Sequence, residues 1–371
     1  MGLVTGMPSF FACFFANSRK NSINKVYNQL FIFYFTGTGN ALSAANWIAE
    51  IAREYDIKTK IIKITPSLKI NSTDFSRQTL VGFCYPTHGF NAPPIVIDFC
   101  IRFPKLKNRV FLLNTRAGMK LYKLFTPGLS GLAQLLPALI LRAKGLKVIG
   151  FQPMDLPSNW ISIHPGIREK VVDSIFERCE KKTKRFAART FNGDKTYKGW
   201  LSFPFDLFVS PISILYYFLG RFFLAKSFIA DFYCNSCGLC IKECPIKAIK
   251  LKNGRPFWTH KCESCMHCMN VCPKRAIQSP HLFVLPLWWA VMFVIPVSIV
   301  RFLSTPGDFI SKHFDLFIWI TLFIIAFPII FGSYRILHFL MKFRFFSWLI
   351  TYTSLTKFRF WRRYFAPRKY L

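Results

Sequence analysis

The sequence predicts a doubly wound parallel α/β sheet, then a small cysteine-rich α+β module, then two transmembrane helices. Three observations predict this. Strand-like and helix-like segments alternate from residue 28 to 190, as in a parallel sheet covered on both faces. The spacing C-x2-C-x2-C-x3-C-P occurs twice, at 234–245 and 262–273. Two uncharged apolar stretches of 19 residues follow, at 282–300 and 316–334, close to the roughly 20 residues that cross a bilayer.

The elements follow in order. Residues 1–25 form a leader of undetermined role. Their apolar stretch has no basic residue before it, as a signal peptide requires, and Gly6 stands where myristoylation needs Ser or Thr. "LFIFYF" (30–35) is a continuous apolar run of strand length, and "TGTGN" (36–40) is a turn. Residues 41–55 read as a helix, because Leu42, Ala45, Trp47, Ile48 and Ile51 recur at helical spacing. Residues 57–64 alternate like a half-buried edge strand, and 79–85 form a third strand. Prolines open a helix at 93–103. A fourth strand at 109–114, a helix at 128–145 ending at Gly145, and a fifth strand at 146–152 follow. A charged amphipathic helix over 167–190 closes the domain. The boundaries expected are 26–190 for the α/β domain, 191–225 for an apolar linker and 226–279 for the cysteine module. A transmembrane hairpin over 280–341 and a basic, aromatic cytoplasmic tail over 342–371 complete the chain.

Composition supports a membrane contact. Of 371 residues 43 are Phe, and the formal net charge is +33. So much Phe suggests that part of the chain meets lipid. The charge suits an anionic membrane face or an acidic partner. Nucleic acid is not expected, because no recognition motif accompanies the charge. The loop between the apolar stretches carries Arg301, Asp308, Lys312 and Asp315, which sum to zero, whereas the chain from Arg335 to Lys369 holds cations and no acid. By the positive-inside rule both flanks are cytoplasmic, giving a multi-pass cell-membrane protein with its domains and both termini inside. Neither stretch holds Asp, Glu, Lys or Arg, so the hairpin reads as an anchor rather than an ion path. Cys13, Cys84, Cys100 and Cys179 stand singly and read as small buried hydrophobes.

Thiolates are soft ligands that suit iron and sulfide. Three cysteines at intervals of three wrap one iron–sulfur cube. The fourth, before proline, ligates the other cube in the two-cluster arrangement. Cys234, Cys237, Cys240 and Cys272 therefore hold one 4Fe–4S cluster, and Cys262, Cys265, Cys268 and Cys244 hold a second. Zinc needs four ligands per site and has no use for the third regular cysteine. The segments "CGLCIKECPIKAI" and "CMHCMNVCPKRAI" resemble both halves of bacterial two-cluster ferredoxins.

The "TGTGN" loop follows a strand and opens a helix. Its N–H groups and Thr hydroxyls make an anion cradle. It has neither the lysine of a triphosphate loop nor the dinucleotide fingerprint, which leaves a monophosphate. "YPTHGFNAPP" (85–94) and "NTRAGM" (114–119) follow strands three and four and lie beside it at the switch point. Together these motifs resemble flavodoxin, and more closely the EFR1-type proteins that fuse a flavodoxin-like domain to a two-cluster ferredoxin, over about residues 28–278. "MDLPSNW" (154–160) is similar to a further family segment. The resemblance implies FMN, with Thr36, Gly37, Thr38, Gly39 and Asn40 at its phosphate. It sets Tyr85, His88 and Phe90 on one side of the ring and Asn114, Thr115, Arg116, Ala117 and Gly118 on the other. The C-terminal hairpin and basic tail depart from that family.

What the resemblance implies is electron transfer between two 4Fe–4S clusters and FMN, serving a redox partner protein or a small acceptor; the hairpin sets this at a membrane. Two alternatives stand beside it: a flavin-dependent oxidoreductase reducing a quinone or other small acceptor, and a membrane iron–sulfur protein whose flavodoxin-like domain has lost FMN. Lys242, Lys247, Lys261, Lys274 and Arg275 flank the cysteines. They favour a reduced cluster or an acidic donor.

Overall fold

The computed structural model describes residues 26–199, 202–306 and 309–371. The leader 1–25 with Cys13, the linker residues 200 and 201, and Asp308 of the inter-span loop lie outside the described residues.

Strands β1 (Gln29–Tyr34), β2 (Lys58–Lys63), β3 (Thr79–Pro86), β4 (Arg109–Leu121), β5 (Leu124–Thr126), β6 (Lys147–Pro157) and β7 (Thr196–Tyr197) make one seven-stranded sheet. Its order is β2-β1-β3-β4-β6-β7, all pairs parallel, with β5 antiparallel on β4. The first five parallel strands run 2-1-3-4-5, the flavodoxin-like order. The burial of each strand follows its residues. All eight residues of β3 are buried, whereas β2 keeps Lys58, Lys60 and Lys63 in solvent at the sheet edge, which discourages further pairing. Helices α1 (Asn40–Glu54) and α4 (Glu169–Phe191) pack together on one face, and α2 (Pro94–Arg102) and α3 (Leu135–Ala143) on the other. Part of the Phe excess is spent here rather than at lipid. Phe33, Phe83, Phe99 and Phe103 meet at ring separations of 5.2–6.0 Å in the core. Cys84, Cys100 and Cys179 are buried.

Strands β4 and β6 are longer than expected. Both run past the end of the parallel sheet, paired through Gly118 and Pro157. The segment expected as one helix over 128–145 is a 3-10 turn, Gly131–Ala133, followed by α3.

The cysteine module is built from paired short strands, β8 (Ile229–Ala230) with β11 (Ile277–Gln278) and β9 (Ile249–Lys252) with β10 (Arg255–Trp258). Helices His281–Leu303 and Phe314–Leu340 are long and apolar enough to cross a membrane, with mean hydropathy 2.3 and 2.4. Only 22% and 17% of their apolar windows are buried, so they are not core helices of the domains. Prolines 286, 296 and 328 lie inside these helical runs, and Ala290–Val294 is a π-helical turn, a local relaxation of the hydrogen-bond ladder. The linker packs against both spans: Leu219 and Phe223 join Val291, Leu322, Ala326 and Ile330 in one cluster.

The tail differs most from expectation. It forms a helix, Arg344–Tyr352, and then crosses back over the two domains, burying Trp361, Tyr364 and Ala366.

Candidate functional site

The carboxyl ends of β1, β3, β4 and β6 surround one open cleft of about 160 Å³, at the place where open α/β sheets bind ligands. Thr36, Gly37, Thr38 and Asn40 form one wall. Thr87, Gly89 and Phe90 form a second, Thr115, Arg116 and Ala117 a third, and Pro157 to Trp160 the fourth. The residues between Pro157 and Trp160 were not among the expected site residues, although "MDLPSNW" marks them in the sequence.

Each wall has a local cause. Gly39 has φ +101°, a left-handed conformation that opens α1 at no steric cost. Its amide donates to Thr36 Oγ1 at 2.9 Å. Thr38 Oγ1 is buried with no protein partner, as expected of a hydroxyl that serves a ligand. His88 and Asn91 exchange backbone hydrogen bonds of 2.8 and 3.0 Å. Gly89 and Phe90 between them both have positive φ, the two-residue turn that needs left-handed backbone. A phenylalanine in that region is strained, and this one is held by the Leu132 amide donating to its carbonyl at 2.8 Å. Strain of this kind gathers at functional loops.

Arg116 lines the cleft, but its charge is already paired. Nε meets Asp155 Oδ1 at 2.7 Å, and Nη1 reaches Ser202 Oγ at 3.2 Å. The cradle is therefore built of neutral donors.

Five expected residues stand behind the walls. Tyr85 is fully buried and donates to the Ala133 carbonyl at 2.8 Å. Asn114 donates to Thr87 Oγ1 and Ser130 Oγ and accepts from Gln134. Gly118 lets β4 approach β6, since a Cβ there would sit 2.2 Å from the Asp155 carbonyl oxygen. Gly39 faces the tail, where a Cβ would sit 2.7 Å from that of Ala366. His88 is buried with both ring nitrogens unpartnered. Burial pushes it down to about 4, so it is neutral near pH 7.

Two groups of four cysteines lie beyond the Thr36–Asn40 wall. Cys234, Cys237, Cys240 and Cys272 line one hollow. Cys262, Cys265, Cys268 and Cys244 form the second group. Burial, with Cys244 adding, lifts the Cys262 thiol to about 12, and Cys244 also acts on Cys265 and Cys268. The fourth member of each group thus comes from the other motif. The two halves repeat at an interval of 28 residues in their backbone. Ser236 and Ser264, Gly238 and Met266, and Lys247 and Arg275 all have positive φ. Ala248 and Ala276 donate amide hydrogen bonds to Cys244 and Cys272 sulfur, at 3.2 and 3.3 Å. Such curled N–H concavities suit anionic iron–sulfur sites. Among the described residues no three His, Cys, Asp or Glu side chains converge on a single-ion position. The donor sets, four thiols per group with an amide N–H on the Cys244 and Cys272 sulfurs, fit an iron–sulfur cluster.

The second group touches the cleft wall. A Cβ on Gly37 would lie 2.0 Å from the Cys265 carbonyl oxygen. His267 Nδ1 hydrogen-bonds the Gly37 carbonyl, and Asn159 Nδ2 donates to the Cys265 carbonyl at 3.4 Å. Glu263 accepts from the Ile95 amide at the start of α2, at 2.8 Å. Burial lifts this carboxyl to about 8. Tyr216 of the linker fills the remaining gap, its ring 5.5 Å from Trp160.

The 4Fe-4S dicluster domain family matches residues 233–277. A flavodoxin from the domain Archaea is similar at 12% identity over 43% of this chain and 97% of its own, with TM-score 0.29. Oxidised flavodoxin 1 from Bacillus cereus is similar at 16% identity over 42% and 97%, TM-score 0.28. The reduced flavodoxin of Megasphaera elsdenii gives 13% over 41% and 98%, TM-score 0.27. No curated protein matches the chain. The dicluster match falls on the cysteine module and the parallel sheet on the preceding part of the same chain.

Proposed function

We propose that this protein is a membrane-anchored electron carrier that passes electrons between two 4Fe–4S clusters and an FMN held in the cleft. One observation carries the reading: Gly37 of the phosphate-type loop lies in van der Waals contact with Cys265 of the second cysteine group. A flavin exchanges one or two electrons and a cubane exchanges one, so their junction converts between the two kinds of chemistry.

The chain's own residues divide the work. The amides and hydroxyls of Thr36 to Asn40 hold a monophosphate without a cation. Phe90 and Trp160 line the cleft and would supply aromatic surface to a planar ring. Asp155 keeps Arg116 oriented and neutralised, so the ring region gains no net positive charge from it. Tyr216, packed on Trp160, helps to keep water from the junction. The eight cysteines hold the clusters in the crossed pattern. The first group, with Cys237 exposed, is the port for an external partner, and the second relays to the cleft. The spanning helices fix this assembly to the cytoplasmic face of the membrane, consistent with the basic tail.

The test is cofactor content. Anaerobically purified full chain in detergent should contain FMN, iron and acid-labile sulfide, and stepwise reduction should bleach both chromophores. Zinc without sulfide would end this reading, and clusters without flavin would leave the cleft unexplained.

A further inference from the structure

The tail returns to the redox domains along a fixed path. Trp361 Nε1 donates to the Ile161 carbonyl at 2.6 Å. Gly166 and Arg362 exchange two hydrogen bonds of 2.9 Å. The Tyr364 amide donates to Asn270 Oδ1 at 3.0 Å, and the Ala366 amide donates to the Thr38 carbonyl at 2.7 Å. Arg363 is pinned between these anchors.

Its guanidinium is only partly satisfied. Nη2 donates to the Ile277 carbonyl at 2.9 Å and to Gln278 Oε1 at 3.2 Å. Nε and Nη1 are buried without a protein acceptor. Leaving charged donors buried and unpaired is costly. The nearby acid is already engaged: Asp231 accepts from Gln278 Nε2 and the Tyr233 amide, and pairs with Lys357 at 3.6 Å. Arg363 Nη2 also reaches the Arg275 carbonyl at 3.4 Å, next to Ala276, whose amide donates to Cys272 sulfur at 3.3 Å. The adjoining Tyr364 is held by Asn270, two residues past Cys268. The guanidinium of Arg363 keeps its charge there and remains a cation at neutral pH. Cys272 belongs to the first cysteine group and Cys268 to the second.

We propose that Arg363 is a tuning residue for both iron–sulfur clusters. Its buried cation and two free N–H groups serve the anionic sulfurs at Cys272 and Cys268. Each cube gains one negative charge on reduction. A fixed cation in a low-dielectric site stabilises that state and raises the potential. The tail that leaves the membrane hairpin is thereby part of the redox machinery. The inference rests on the cluster reading under Proposed function.

The experiment is a redox titration followed by electron paramagnetic resonance on full chain in detergent, for wild type, Arg363→Gln and Arg363→Lys. Both potentials should move to more negative values in R363Q, the Cys272 cluster more. R363K, which keeps the charge, should stay nearer wild type. Unchanged potentials in R363Q with full iron and sulfide would overturn the proposal. Should R363Q fail to keep its clusters, Arg363→His replaces it. Its potentials should fall more steeply with rising pH than wild type's, as the imidazole loses its charge, and a wild-type slope would overturn the proposal. Wild-type protein lacking iron and sulfide would sink the electron-carrier reading itself, a result distinct from either of these.

Discussion

The two cysteine groups share one motif, one backbone conformation and one crossed pattern, yet they face different worlds. In the first, Cys237 is exposed and Cys234 and Cys272 are half-buried. In the second, Cys262, Cys265 and Cys268 are all buried. The first is ringed by exposed Lys242, Lys250, Lys274 and Arg275. The second is closed off by Glu263, Tyr216 and the Gly37 loop. The ligand set alone therefore does not assign a role to either group. Burial and neighbours do, because they decide solvent access, dielectric and contact with the cleft.

Breaking one group at a time should separate the roles most strongly. Cys265→Ser should remove about half the iron and abolish transfer between flavin and cluster. Cys237→Ser should remove a similar share yet leave that transfer intact, while reduction by an external protein donor fails. Iron analysis with stopped-flow absorbance reads both. Equal loss of internal transfer in the two variants would erase the distinction.

Smaller changes probe the junction itself. Gly37→Ala drives a methyl into the Cys265 backbone, so the domains must part. It should cost about 1–3 kcal/mol in stability, as overpacking does, and slow internal transfer. Denaturant titration and flash kinetics measure the two effects. Gly332, with open space at its Cβ position, is the matched control: alanine there should leave internal transfer unchanged.

His88 tests whether the second wall is a dry scaffold. Its folded value, near 4, lies below the ordinary 6.5. The unfolded chain therefore binds the extra proton between those values, and stability falls as pH drops from about 6.5 toward 4. The full effect of such a shift is of order 3 kcal/mol. His88→Phe should flatten that window in chemical denaturation measured against pH. An unchanged slope would mean that His88 meets solvent.

The mildest effect is expected at the exposed port. Lys242→Glu and Lys274→Glu should slow reduction by an acidic protein donor several-fold at low salt and little at high salt. Internal transfer should not respond. A variant that slowed both would place the lysines in cluster tuning rather than docking.

Much of this was legible in the residues. The continuous apolar run of β1 and the Lys alternation of β2 announce a central strand and an edge strand. The cysteine spacing announces its own chemistry. Loop membership was easier to read than side-chain direction. Tyr85 and Asn114 belong to the right loops, but their side chains point into the packed layer behind the cleft, where Ala133 and Gln134 engage them. Contacts between distant residues left no local mark. Tyr364 hydrogen-bonds Asn40 across 324 positions, and Cys265 meets Gly37 from another domain. The tail mixes cations and aromatics, as a membrane-surface segment would. Its burial becomes visible only when the domains that it straps are in place.

Flash photoreduction of the flavin in purified full chain tests the central claim most directly. The account predicts that cluster absorbance then bleaches at a rate independent of protein concentration, as transfer within one molecule requires. A bleaching rate proportional to protein concentration would contradict it, because electrons would then be moving between molecules instead of across the Gly37–Cys265 junction.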